Sequence, residues 1–324
     1  MSKRIGFTTT LPVEVLLAAG HIPIDLNNIF LSRDSEQLIH EAELKGFPRS
    51  LCSWIKGNYS AALSSDLDEV IGIVQGDCSN SNSLLEMIAE EGIAIYKFSF
   101  PAQPDYGAMD AEISRLEEHL GVSRKQTLEA KAWLDSIRKK LVEMDRLCYE
   151  ERKVSGGDNH LWLVNASDFQ SDPQRYENEL DEYLKRAQSA KPLPTRLRLG
   201  YLGVPPIFRD LYDNISNLGG DVLFNEIQRQ FAMPYLIPDI VEQYLVYTYP
   251  YSVLDRLKDI KQEIRRRRLN AIISYTQAFC HLQIDNLLLK KHIDLPFLNL
   301  EGELPEKLDS RTILRLESFF EVHA

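Results

Sequence analysis

Cysteine is scarce in this chain, with four among 324 residues. A small secreted scaffold stapled by disulfides is thereby excluded, and widely spaced thiols in a reducing setting serve as core, metal or catalytic groups. Positive charge is also in short supply. Lys and Arg number 37 against 48 Asp and Glu, a formal net charge of −11, which argues against a broad phosphate-binding surface and so against nucleic acid as partner. No apolar run reaches the ~18 residues a membrane span needs. The opening MSKRIGFTTTLPVEVLLAAG resembles a signal peptide in outline. Pro12 and Glu14 interrupt its apolar stretch, so it reads as strand, turn and helix in a soluble cytoplasmic protein. Walker A, GxGxxG, HExxH and GxSxG are all missing, so nucleotide-fold, zincin and serine-hydrolase readings have no support. There is no short repeat and no low-complexity segment.

What remains is an α/β pattern written twice. In the first third, Ile5–Phe7, His21–Leu26, Val70–Val74 and Ile93–Phe98 read as strands separated by helices. The β-branched run Val70-Ile71-Gly72-Ile73-Val74 has the look of a strand buried on both faces. A long charged stretch from Asp110 to Arg152 reads as helix, with Leu134, Ile137, Leu141, Met144 and Leu147 on one buried face. On it, Arg138-Lys139-Lys140 reads as a solvated face. Residues 166–191 read as a polar surface helix that ends at Lys191-Pro192-Leu193-Pro194. The second half repeats the alternation, with strands at Arg196–Leu202, Asp221–Phe224, Ala271–Tyr275 and Leu295–Leu300. A helix opens at Pro205-Pro206, and the run Arg265–Arg268 suits a helix C-terminus. The expected architecture is two flavodoxin- or Rossmann-like domains with parallel sheets flanked by helices. Their expected bounds are 1–154, with a long helical extension, and 195–324, joined by a helical linker over 155–194.

Cys52, Cys78 and Cys280 share one local setting. Each adjoins a helix start, where unpaired N–H groups and the dipole favour an acidified, metal-ready thiolate. Cys78 and Cys280 also follow strands, at the carboxyl edge where open α/β sheets bind ligands. Cys148 lies mid-helix beside Leu147 and reads as a core thiol. Taken alone, each of the three also fits a buried core position. Zinc would want a fourth ligand, with His281 the nearest. Three thiolates can also hold a [4Fe–4S] cluster, leaving one iron without a protein thiolate.

Six segments carry a resemblance that runs in order along nearly the whole chain. They are IGFTTTLPVEVLLAAGHIPIDL, LCSWIKGNYSAAL, VIGIVQGDCSNSNSLLEMI, YLGVPPIFRDLYDNISNLGGDVLF, AIISYTQAFCHLQIDNLLLKK and DLPFLNLEGELPEKLDSRTILRLESFFEV. The sequence resembles the 2-hydroxyacyl-CoA dehydratase component family, which includes benzoyl-CoA reductase subunits. The resemblance implies a [4Fe–4S] cluster between two flavodoxin-like domains, held by Cys52, Cys78 and Cys280. It implies a dimer with a paralogous subunit or a second copy, and a low-potential electron from an ATP-hydrolysing iron–sulfur activator. The substrate would be an acyl-CoA, dehydrated through a ketyl radical or reduced, in an anaerobe.

The chain departs from the family pattern at two positions. Ser79 and His281 stand where relatives commonly carry an aspartate after the second and third cysteines. The chain also opens close to its first strand, without the usual N-terminal extension. Ser53, Asp77, Ser79 and His281 are the candidate proton-transfer or fourth-site groups, with helix capping the plainer role for the two serines. Trp54 and Phe279 are candidates to shield the cluster. The rival function is a non-catalytic electron-transfer or cluster-carrying partner of the same fold. A scaffold that has lost its cluster is the third reading.

Overall fold

The computed structural model describes residues 2–280 and 282–324. His281 therefore lies outside the described residues. The chain gathers into two compact units. One comprises Met1–Lys139, Asn165–Glu177 and Tyr235–Ser252, and the other Lys140–Val164, Asn178–Pro234 and Val253–Ala324.

The first unit is built on β1 (Arg4–Phe7), β2 (Ile22–Asp25), β3 (Glu69–Gln75) and β4 (Ala94–Ser99), all parallel, in the order β2-β1-β3-β4. Parallel neighbours require helical crossovers. These begin with α1 (Val13–Ala18), α2 (Leu26–Ser32), α3 (Ser35–Leu44) and α4 (Ser53–Leu63), followed by α5 (Asn80–Glu90) and α6 (Tyr106–Leu120). The strand run Val70–Ile73 is buried on both faces, as a central parallel strand must be. The charged stretch after β4 divides into α6 and α7 (Arg124–Arg146), because Gly121 adopts a left-handed conformation (φ 69°) that ends α6. Leu134, Ile137, Leu141, Met144 and Leu147 are all buried.

The second unit repeats the plan. Its strands β5 (Leu197–Leu202), β6 (Gly220–Asn225), β7 (Ala271–Gln277) and β8 (Phe297–Gly302) are parallel in the order β6-β5-β7-β8. Its helices include α8 (Gly156–Val164), α10 (Leu211–Asn217), α11 (Glu226–Phe231), α13 (Val253–Arg267), α14 (Leu282–His292) and α15 (Ser310–His323). Between them, α9 (Pro173–Ser189) crosses the boundary residue and α12 (Ile240–Val246) belongs to the first unit. Every residue of β7 is buried. The result is an α/β protein with two Rossmann-like sheets of the same strand order.

Several local expectations are corrected. Arg138 is not on a solvated face. It is buried and pairs with Glu14 at 2.8 Å and Asp135 at 3.0 Å. Lys139 is exposed, and Lys140 reaches Asp181 at 2.7 Å. In the run Arg265–Arg268, Arg267 is fully buried against Glu263 at 2.6 Å and Asp145 at 2.5 Å. The helix expected from Pro205-Pro206 begins only at Leu211. The helix expected from residue 166 begins at Pro173, because Phe169, Gln170 and Ser171 each take positive φ of 51–62°.

Candidate functional site

In open α/β sheets the ligand site lies beyond the carboxyl ends of the strands, where the strand order reverses. In the first unit that point falls between β1 and β3. The loop after β1 begins at Thr8, whose Oγ1 accepts a hydrogen bond from the Ile73 amide at 3.1 Å. The loop after β3 runs through Gly76, Asp77 and Cys78. Gly76 has φ +93°, and a Cβ there would meet Pro250 at 2.6 Å and Phe100 at 3.0 Å. Only glycine fits this turn, and it delivers Asp77 and Cys78 at the sheet edge. The Ser81 amide then donates to the Cys78 carbonyl at 3.0 Å and opens α5.

Cys52 occupies the equivalent place on α4. It is the N-cap residue, its carbonyl accepting from the amides of Ile55 at 3.1 Å and Lys56 at 3.3 Å. Both thiols are half-buried. Burial raises the pKa of Cys52, while the Trp54 and Ile55 amides lower it and the neighbouring Cys78 raises it again. Burial likewise raises Cys78, with the Asn80 amide acting against it and Asp77 adding to it. At Cys52 and Cys78 desolvation thus outweighs the helix N-terminus, against the acidified thiolate expected there. Cys148 behaves as expected of a core thiol. It is fully buried, and its pKa is pushed well up by burial and by nearby Asp221.

Cys280 stands at the matching place in the second unit, between β7 and α14. Its amide donates to the Gln277 carbonyl at 3.1 Å and its carbonyl accepts from Gln283 at 3.3 Å. Gln277 is itself fixed, donating through Nε2 to the Glu303 carbonyl at 2.8 Å and accepting from the Tyr275 hydroxyl at 2.8 Å. Phe279 has a left-handed φ of 65° and is exposed. Ser53 is buried as the first residue of α4, and exposed Ser79 stands at the N-cap of α5 without a side-chain capping bond. The capping role expected of Ser79 is therefore not performed by its side chain.

Of the buried acids in the first unit, sequence reading singled out Asp77 but missed Asp25 and Asp168. Asp77 accepts from Ser81 Oγ at 3.2 Å and the Tyr249 hydroxyl at 3.4 Å, and burial pushes its carboxyl up to about 6. Asp25 ends β2 and caps α2, accepting from the Asn27 amide at 2.9 Å and from Ser167 Oγ at 2.6 Å. Its own amide donates to Asp168 at 2.9 Å. Burial, then the charge of Asp25, pushes Asp168 up to about 7. An acid closing the strand HIPID was a readable signal, whereas nothing local marks Asp168.

The donor set suits an iron–sulfur group, since soft thiols within reach of backbone amides are what such clusters take. Trp54 adds to this fit. Its Nε1 is buried without a hydrogen-bond partner, two residues from Cys52, and cluster sulfurs accept such bonds. Among the described residues, no group of three or more His, Cys, Asp or Glu side chains stands assembled to hold a metal ion. No helix among them is long and apolar enough to cross a membrane.

Two Rossmann-like sheets of one strand order, each with a cysteine between its third strand and the following helix, define a class of paired α/β proteins with thiols at the switch edge. A family model described as 2-hydroxyglutaryl-CoA dehydratase, D-component, matches residues 8–322, and the chain belongs to that family. No curated protein matches it.

Proposed function

We propose that the chain is a [4Fe–4S] subunit of a 2-hydroxyacyl-CoA dehydratase-like or acyl-CoA reductase-like system, with Cys52, Cys78 and Cys280 as cluster ligands. The observation that carries this reading is the shared strand–cysteine–helix setting of Cys78 and Cys280 in two sheets of identical order, with Cys52 at the N-cap of a helix in the first unit. When bound, such a cluster supplies a low-potential electron and an iron open to a substrate oxygen. The chain's own residues bind and tune it. Amides of Trp54, Ile55 and Asn80 stabilise thiolate charge at Cys52 and Cys78. Trp54, set edge-on to Phe30 at 5.4 Å, is the residue that would shield a cluster at Cys52 from water. Asp77, held by Ser81 and Tyr249, can keep a proton near neutral pH beside Cys78. Ser53, Ser79 and His281 are the remaining candidates for proton transfer. The reading includes a paralogous subunit or second copy, an ATP-hydrolysing activator, an acyl-CoA substrate, and a reducing, anaerobic cytoplasm.

Anaerobic reconstitution with iron and sulfide tests it. The expected product is brown, with a broad band near roughly 400 nm that bleaches on reduction. Cys52→Ala, Cys78→Ala and Cys280→Ala should each lose most of the iron, while Cys148→Ala retains it. A colourless, iron-free protein overturns the reading. Ser79, in place of the aspartate common in relatives, favours a second reading as a non-catalytic electron carrier. In that case the protein changes redox state with an activator yet forms no enoyl-CoA or reduced acyl-CoA.

A further inference from the structure

Three helices stand between the second and third strands of each sheet, α2, α3 and α4 after β2 and α11, α12 and α13 after β6. The last helix of each set is entered in the same way. Cys52 directly precedes α4, and Ser252 directly precedes α13. A turn comes before both. The Leu51 amide closes one on the Pro48 carbonyl at 3.0 Å, and the Tyr251 amide closes the other on the Thr248 carbonyl at 3.2 Å. Four residues beyond, each helix carries a buried cation, Lys56 paired with Glu43 and Arg256 with Glu226, both at 2.8 Å. Ser252 is thus the counterpart of Cys52, as Cys280 is of Cys78. Of four corresponding corners, three hold cysteine and the last holds serine.

Packing ties that last corner to a cysteine turn. Residues Tyr235–Ser252 belong to the first unit. Pro250 lies against Gly76, where an added Cβ would meet it at 2.6 Å. The Tyr249 hydroxyl donates to Asp77 Oδ1 at 3.4 Å. Tyr251 is buried and donates to the Tyr244 carbonyl at 3.3 Å. The segment is therefore anchored on the two residues that precede Cys78, and exposed Ser252 follows at its end. Serine keeps the size of cysteine but offers a hard oxygen in place of soft sulfur, a poorer donor for cluster iron. Resting on the cluster reading above, we propose that Ser252 is the fourth corner of the site. It stands at the iron that Cys52, Cys78 and Cys280 leave without a thiolate. A hydroxyl there keeps the position exchangeable, where a fourth cysteine would close it. An open position is what metal sites that bind substrate keep and structural ones lack.

The test uses the full chain, reconstituted anaerobically with iron and sulfide, as wild type, Ser252→Cys, Ser252→Ala and the double variant Cys52→Ala/Ser252→Cys. Mild oxidation with a chelator present should strip one iron from the wild-type cluster. The readouts are iron content and the electron paramagnetic resonance signal of a three-iron cluster. Ser252→Cys should keep its full iron and lose most of that signal, while Ser252→Ala, which adds no thiol, stays as labile as the wild type. The double variant should regain most of the iron that Cys52→Ala loses, because a thiolate returns at the corresponding corner. A Ser252→Cys cluster that sheds iron as readily as wild type overturns the assignment and leaves the three-cysteine reading standing. So does a double variant without iron, or a wild-type cluster that already withstands the treatment. A wild type that takes up no iron overturns both.

Discussion

Asp168 and Asp25 place two carboxylates in one buried site, with no cation among their hydrogen-bond partners in the described residues. Burial raises both pKa values, Asp168 to about 7, and Asp77 nearby shares the direction. A carboxyl whose folded pKa is raised contributes stability that is present below its ordinary range and is lost as pH climbs through the folded value. The first unit should therefore lose stability between about pH 4 and pH 7. Glu14 sits outside that window. Despite full burial, Arg138 holds it below the usual carboxylate range. Hydrogen exchange in peptides covering 165–177 measures the effect, and Asp168→Asn should flatten it. A profile unchanged by that substitution refutes the assignment. Cys148→Ala, by contrast, should cost about 1 kcal/mol in thermal unfolding and leave iron content alone.

At the scale of elements, Gly203 makes the sharpest case. It follows β5 with φ +108°, and a Cβ would run into the carbonyl of Tyr275 on β7. Backbone strain and a clash with backbone add there, so Gly203→Ala should destabilise by about 3 kcal/mol in denaturant unfolding. The strands themselves were plain in the sequence. Runs such as Val70–Val74 and Ala271–Tyr275 are too β-branched and too short to be buried helices. The helix–cysteine junctions followed from them. What stayed hidden depends on residues far apart in the chain. Arg138 reads as a surface charge until Glu14, 124 positions away, is folded against it. Arg267 likewise waits on Asp145. The thiols of Cys52 and Cys78 sit at helix starts as the sequence implies, but their desolvation is a tertiary property that no local pattern reports.

For the molecule as a whole, each unit carries its own buried arginine network. Arg138 serves the first with Glu14 and Asp135, and Arg267 the second with Asp145 and Glu263. Removing one partner of a buried ion pair leaves an uncompensated charge and costs about 3–5 kcal/mol. Arg138→Leu should accelerate amide exchange mainly in the first unit and Arg267→Leu mainly in the second. Equal acceleration of both units by either substitution would show that the two unfold as one. The first unit is also discontinuous, drawing on residues 165–177 and 235–252 as well as its N-terminal stretch. On a ribosome adding about 5–20 residues per second, its opening strands and helices emerge long before Tyr244 and Tyr249 do. Tyr244 donates to Glu14 at 2.7 Å and Tyr249 to Asp77, so the nascent chain must hold a half-finished domain, its acids short of these partners, through most of its synthesis.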